Sequence, residues 1–370
     1  MRLSDLGEFE LLHNHVLPMF SSVFPPADDA AVIGIPGDWD IVVTTDPCPD
    51  PVSCEVLSLS PSDRMWQIGW LTVVVNLSDL AAMGADPLGL VVSTEMPTDT
   101  DLDVAKSYFE GLRAASDSFD CPLVGGNVRE RDFVLSTGTA LGKVRRGRAL
   151  TQGGACEGDL IAAVGRPGLF WASVLASGFG RDNLGAKSPG WDVAPTDWTA
   201  DEVRLLSAAL TRPEALVTVA AQLGSEGLVT AAVDASDGVG DALRKIANRS
   251  GLGVLLRPEL PSDAHPIVER VAKQEGIDVR NLMMAWGGWE LIVAFSPEKL
   301  ESVQGVIDAA NKQMTIFGAM SHGVDGVRFQ TSPELEVNLC ESERFTKSSY
   351  MTAGLDSYVA QLRRPFLSGT

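Results

Sequence analysis

A chain of 370 residues exceeds what one ordinary core supports and points to two domains, with 45% hydrophobic residues to fill them. Its formal charge of -20 repels nucleic-acid backbones and anionic membranes, so neither is an expected partner. The start, MRLSDLGEFELL, lacks a signal peptide's basic and apolar blocks, and no run of about 18 apolar residues follows, so the expected location is cytoplasmic.

Short β-rich runs come first: AAVIGI (30–35), DIVVTTD (40–46), GLVVSTEM (89–96) and FVLSTGTALGKV (133–144). Between them lie two helical patterns, 60–84 and 101–119, with Ser or Asp at their starts and apolar residues at three-and-four spacing. The first half therefore reads as a sheet covered by long helices. A Gly- and Arg-rich break at 145–159 precedes a further strand, LIAAVG (160–165), and sets the expected boundary near 148, giving units 1–147 and 148–370. The polar, Gly- and Pro-rich stretch 178–202 reads as a long loop. Helix 200–210, strand 228–235, helix 237–251 and strands 253–258 and 291–296 follow. Five cysteines without a C-x-x-C pair fit free thiols, and four histidines without cysteines at ligand spacing argue against zinc.

Aspartates gather at the edges of the apolar strands. Asp28 and Asp29 precede one; Thr44, Thr45 and Asp46 end another; Asp234, Ser236, Asp237 and Asp241 follow a third. Each has a plain structural reading as a cap, a turn or a strand end. Asp79 is harder to dismiss: it sits in VVVNLSDLAAMGADP (73–87), an apolar helical run, where a buried unpaired carboxylate would cost about as much as the whole margin of stability. Such hard oxygen ligands suit Mg²⁺, which takes one or two carboxylates plus water and substrate phosphates. LVGGNV (123–128) adds two glycines after a strand, where a turn forms or a backbone approaches something closely. Neither G-x-x-x-x-G-K-[ST] nor G-x-G-x-x-G with its acid is present, so a nucleotide site here is of another type.

The order of the motifs is more specific than any one of them. DDAAV, TTD, VNLSDLAAMGADP, GG-N, GRALTQGGACEGD, TRP (211–213), DASDG and GG-x-EL, spread from about 27 to about 295, resemble the thiamine-monophosphate kinases of the aminoimidazole ribonucleotide (AIR) synthetase superfamily. The resemblance implies a two-domain α/β (α+β) fold of AIR-synthase type, in which the N-terminal sheets of two subunits pair across a homodimer and hold ATP and Mg²⁺ at that interface. Carried over by motif, Asp29, Thr44, Thr45, Asp46, Asp79 and Asp234 surround magnesium and Asp237 holds another ion. Asn76 and Ser78 line a polar seam beside Asp79. Ser236, Gly126 and Arg148 contact the nucleotide, with Gly125 and Asn127 beside them; Asp46, Asp237 and Arg148 carry catalysis by alignment and charge neutralisation.

Three departures from the family pattern follow. The family's G-G-D-T-T-R is GGNVRE (125–130), so Asn127, which has a ligating carbonyl oxygen but no charge, replaces a magnesium-binding aspartate. G-G-E-D-Y-E-L is GGWEL (287–291), without the acidic pair that helps to hold the kinase's acceptor. The histidine-bearing segment after TTD is PCPDPVSCEV (47–56). Two of the three losses fall on the acceptor side, so the expected function is ATP- and Mg²⁺-dependent phosphoryl transfer to a small-molecule acceptor, phosphorylated ones included, through a changed acceptor pocket. Ser53, Trp289 and Tyr358 are its candidate residues, with Trp286 and Tyr350 beside them. The alternatives are a genuine thiamine-monophosphate kinase, ATP-dependent activation of an amide or carbonyl oxygen, and a nucleotide-binding dimer without turnover.

Overall fold

The structure, a computed structural model, describes residues 6–20, 28–178, 198–330, 335–339 and 353–367. Most of the loop expected over 178–202 lies outside these residues. A first sheet, ordered β1-β2-β5-β3-β4, is built from Ala31–Gly34 (β1), Trp39–Pro47 (β2), Asp86–Met96 (β3), Leu123–Glu130 (β4) and Leu135–Arg145 (β5). The second, ordered β12-β11-β8-β10-β6-β9-β7, comprises Leu160–Val164 (β6), Ala231–Asp234 (β7), Gly253–Leu256 (β8), Leu291–Phe295 (β9), Met314–Ser321 (β10), Val327–Phe329 (β11) and Leu335–Glu336 (β12). Pairing is mostly antiparallel, with one parallel pair in each sheet, β3 with β4 and β8 with β11. The mixed α and β content expected from sequence is what the chain forms.

The helix Pro61–Ala82 joins the two sheets. Ser60 caps it by accepting the Asp63 N–H at 3.1 Å, and Pro61 occupies its first turn, where a missing N–H costs nothing. From Gly69 to Ala82 every residue is buried, as expected of a helix apolar on all faces. It lies on β2 and β5 on one side and meets β7, β9 and the helix Val217–Ser225 on the other. The Trp70 indole N–H donates to the Pro213 carbonyl at 3.0 Å, tying the helix to the chain of the second sheet. Against the helix Leu102–Ser118 it packs backbone to backbone: a Cβ on Gly111 would stand 2.1 Å from the Trp66 carbonyl, and one on Gly69 2.1 Å from that of Tyr108. Among the described residues no helix is long and apolar enough to cross a membrane.

In β5, Ser136, Gly138, Ala140, Gly142 and Val144 point to the helix and are buried, while the alternating residues face outward and are half-exposed. Among the described residues nothing covers the outer face of the first sheet at β5. LVGGNV is not a turn after a strand: Gly125 and Gly126 lie inside β4, neither at positive φ. The register with β3 slips by one at Val124, and a Cβ on Gly126 would stand 2.4 Å from the Val92 carbonyl, so close approach of β3 is what requires the glycine.

Candidate active site

The polar residues of the central helix are buried and each is answered across a sheet. Asn76 accepts the Asp46 N–H at 3.1 Å and donates to the Thr72 carbonyl at 2.9 Å, and Gly138 leaves the space it occupies, since a Cβ there would stand 2.3 Å from its amide nitrogen. Ser78 donates to Asp234 at 2.5 Å, and Thr44 donates to Asp79 at 2.5 Å. Asp234 also accepts from Ser236 at 2.9 Å. The expected seam of Asn76 and Ser78 is thus a bridge that fixes Asp46, at the end of β2, and Asp234, at the end of β7, on either side of one helix turn.

Asp29, just before β1, completes the group: the Gln152 amide donates to its Oδ1 at 2.9 Å, whereas its Oδ2 is enclosed without a hydrogen-bond partner. Burial, then the Asp234 charge, pushes the Asp29 carboxyl well above the usual range; burial, then the charges of Asp234, Asp46 and Asp29, does the same to Asp79. Among the described residues Lys245 is the cation that acts on Asp29. Lys245, on the helix Val239–Ser250, lies 3.0 Å from both Asp237 and Asp241; burial works against its charge, but the surrounding carboxylates outweigh that and raise its pKa.

Among the described residues no three acidic, histidine or cysteine side chains close into a metal site by themselves. Mg²⁺ asks less, one or two carboxylates completed by water and phosphate oxygens. An enclosed carboxylate oxygen without a partner, amid carboxylates that destabilise one another, fits that ion, and the donors are all hard oxygens.

The aspartates Asp46, Asp79 and Asp237, with Ser236, line a cavity of about 290 Å³. Its walls are apolar, made by Trp70, Leu71 and Val75 of the central helix and by Phe170, Trp286 and Trp289 from the second half of the chain. Cys48, Pro49 and Asp50 of the altered segment also line it, and no lysine, arginine or histidine does so among the described residues.

Trp289 belongs to the cavity and is unusual: its φ is +50°, sterically costly for a residue with a Cβ, and its indole N–H is buried without a partner. Ser53 does not reach the cavity; it is buried behind Gln67, a lining residue whose Oε1 accepts the Ser53 hydroxyl at 3.1 Å. Tyr358 is withdrawn as well, buried and stacked 4.7 Å from Trp171, because the helix Leu355–Leu362 uses it as core. Tyr350 lies outside the described residues.

Thr45 is exposed and donates to the Gly138 carbonyl at 2.8 Å, turned from the face where Thr44 meets Asp79. Arg148 is exposed in the turn after β5, with Gly227 as its neighbour, and lines no part of the cavity. Gly125, Gly126 and Asn127 stand on the open edge of the sheet. Asp46 pairs with Gly138, Gly138 with Val92 and Val92 with Gly126, so the glycine is three strand spacings, about 14 Å, from Asp46. An extended nucleoside triphosphate spans that interval. The Asn127 side-chain oxygen Oδ1 accepts the Val128 N–H at 3.0 Å. Lys245 and Gln67 lie in no motif, and Gln152, though inside GRALTQGGACEGD, carries no residue-type signal there that marks it as a partner of Asp29.

A family model described as AIR synthase related protein, N-terminal domain, matches residues 27–144. The thiamine-monophosphate kinase of Synechococcus elongatus is 28% identical over 321 residues, 86% of this chain and 90% of that protein. A solved thiamine-monophosphate kinase from Stenotrophomonas maltophilia superimposes with a TM-score of 0.66 at 27% identity, covering 83% of this chain and 90% of the other. AaThiL, solved in complex with AMPPCP and TMP, superimposes with a TM-score of 0.69 over 89% of this chain and 95% of its own; at 20% identity it speaks for the fold.

Proposed function

The chain is a member of the AIR synthase superfamily, and on that premise we propose that it is an ATP- and Mg²⁺-dependent kinase that phosphorylates a small organic acceptor held in the apolar cavity. One observation carries the reading: carboxylates from four separate stretches of the chain, Asp29, Asp46, Asp79 and Asp234, act on one another, and Asp46 and Asp79 of this group line that cavity. Similarity to thiamine-monophosphate kinases over most of the chain supports the reaction class.

In this reading Asp29, Asp46, Asp79, Asp234 and Asp237 would hold magnesium, which when bound neutralises phosphate charge. The residues of the chain do the rest. Thr44 and Ser78 hold Asp79 and Asp234 in place, and Asn76 fixes the backbone of Asp46. Lys245 keeps Asp237 oriented. Trp70, Leu71 and Val75 keep water from competing with the acceptor. Phosphoryl transfer of this kind rests on alignment and charge neutralisation, so a cavity without histidine suffices. Ser236 and the Gly125–Gly126–Asn127 edge are the proposed nucleotide contacts. Arg148, away from the cavity, is left out of catalysis.

A wall to which the described residues contribute no cation suits an acceptor whose body is neutral or cationic. A changed acceptor is supported by the shortened GGWEL loop, by Trp289 in its left-handed conformation and by PCPDP where the family has its histidine. The second reading, a genuine thiamine-monophosphate kinase, is favoured by the named relatives. We also propose a homodimer, supported by the uncovered outer face of the first sheet and by exposed Ile33, Val91, Val124 and Val128. The units 1–147, for nucleotide and metal, and 148–370, closing the cavity, are proposed with it.

Phosphorus NMR of the protein with Mg²⁺ and ATP decides between the acceptors. Thiamine monophosphate is offered first, then a panel of small phosphates, alcohols and amides. A new phosphoryl product from the panel and none from thiamine monophosphate is the expected result; formation of thiamine diphosphate rejects the changed acceptor, and transfer to none rejects the kinase.

A further inference from the structure

Behind the acceptor cavity, sharing Phe170, Pro213 and Trp289 with it, lies a second cavity of about 200 Å³, on the order of seven water volumes. Glu290 lines it with only 3% of its surface exposed, and no cation among the described residues pairs with its carboxyl. The room for that carboxyl is built in. A Cβ on Gly288 would stand 2.1 Å from Glu290 Oε1, and one on Gly165 would stand 2.9 Å from its Cγ. The carboxyl accepts its own backbone N–H, but burying a carboxyl that no cation neutralises still costs several kcal/mol on ionisation, so native structures retain such groups chiefly where something answers them.

The same cavity is lined by Arg166 and Arg212, both exposed and without a carboxylate partner among the described residues. In a chain with a formal charge of -20, two unanswered guanidinium groups beside one cavity stand out. The Arg212 guanidinium lies over the Trp66 ring at 5.2 Å, which holds it without neutralising it. Lys312, also a lining residue, is already paired with Glu214 and contributes no free charge. Among the described residues the cavity thus combines a deep acid that no cation neutralises with two accessible bases that no carboxylate neutralises.

We propose that this second cavity binds a small aliphatic zwitterion, its protonated amine on Glu290 and its anionic group on Arg166 and Arg212. Both ends are required: an amine alone leaves the guanidinium groups unanswered, and an anion alone leaves Glu290 so. Carboxylate and phosphate share the chemistry that arginine recognises. Because Trp289 lines both cavities, an occupant here touches the wall of the acceptor cavity.

Calorimetric titration of the full chain at pH 8, without nucleotide, tests this independently of the kinase reading. The bifunctional probes are γ-aminobutyrate and phosphoethanolamine; n-butylamine and butyrate are the single-charge controls. At least one bifunctional probe is expected to bind about tenfold or more tighter than both controls, and the better of the two identifies the anionic group. Glu290→Gln and Arg166→Ala are each expected to weaken it about tenfold; Arg166, being exposed, can be removed without disturbing the fold. No saturable binding of either bifunctional probe, affinity equal to that of the controls, or binding indifferent to both substitutions would overturn the proposal.

Discussion

Glu290→Gln should remove a pH dependence that the wild-type fold carries. Burial pushes the Glu290 carboxyl from 4.5 up to about 7. The folded state then holds its proton through an interval in which the unfolded chain has released it. The stability associated with this group is therefore fully present below pH 4.5 and is lost as pH rises through about 7. At about 1.4 kcal/mol for each pH unit of that interval, the loss is about 3 kcal/mol. Gln is isosteric and does not titrate, so the variant lacks this decline. Its own burial cost is the same at every pH and cancels in the comparison. Urea unfolding of both proteins at pH 5 and pH 8 provides the assay. Relative to wild type, the variant should gain about 2–3 kcal/mol between the two pH values. The raised carboxyls of Asp29 and Asp79 are common to both proteins and drop out. An equal difference between variant and wild type at both pH values would refute the reasoning, because it would mean that Glu290 ionises in the fold as it does in water.

Three further outcomes follow from the site and the sheet. Asp234→Asn removes the carboxylate that receives both Ser78 and Ser236, and ATP turnover with the identified acceptor should fall about a hundredfold or more, measured as ADP release. Gly126→Ala forces β4 away from the Val92 carbonyl and should cost about 1–3 kcal/mol in urea unfolding; an unchanged midpoint would mean that the edge strand yields freely. Asn127→Asp should raise turnover by no more than about threefold, since within one chain Asn127 stands on an open edge strand about 14 Å from the carboxylates around Asp46. A large gain there would instead identify Asn127 as damage to a metal site.

What was legible in the sequence is what a single element carries. The central helix announced itself by its capping serine and apolar run, and Asp79 by its inconsistency with that run. The order of the acidic motifs was readable for the same reason, since each motif sits on or beside a single element: Asp29 before β1, Asp46 near the end of β2, Asp79 in the central helix and Asp234 at the end of β7. Contacts made across elements were not. Nothing in DALRKIANRS marks Lys245 as the partner of Asp237, because the pairing depends on how the helix Val239–Ser250 turns after β7. Gln152 looks like loop composition until it meets Asp29. Tyr358 carried the right chemistry for an acceptor platform, yet packing decided otherwise, since its ring fills the space beside Trp171 and Trp286. The glycine pair of LVGGNV gave the right cause, close approach, with the wrong element, because a bulged strand and a turn ask the same of glycine. Glu290 was part of a motif, but its isolation from every cation among the described residues is a property of the fold.

Calorimetric titration of ATP into the wild-type protein and into Asp79→Asn, each with Mg²⁺ and with chelator, tests the central claim most directly. Saturable binding that requires Mg²⁺ and weakens about tenfold or more in the variant is the predicted result. No binding in either condition, or binding indifferent both to Mg²⁺ and to Asp79, would contradict it, for the gathered carboxylates would then have no nucleotide to serve.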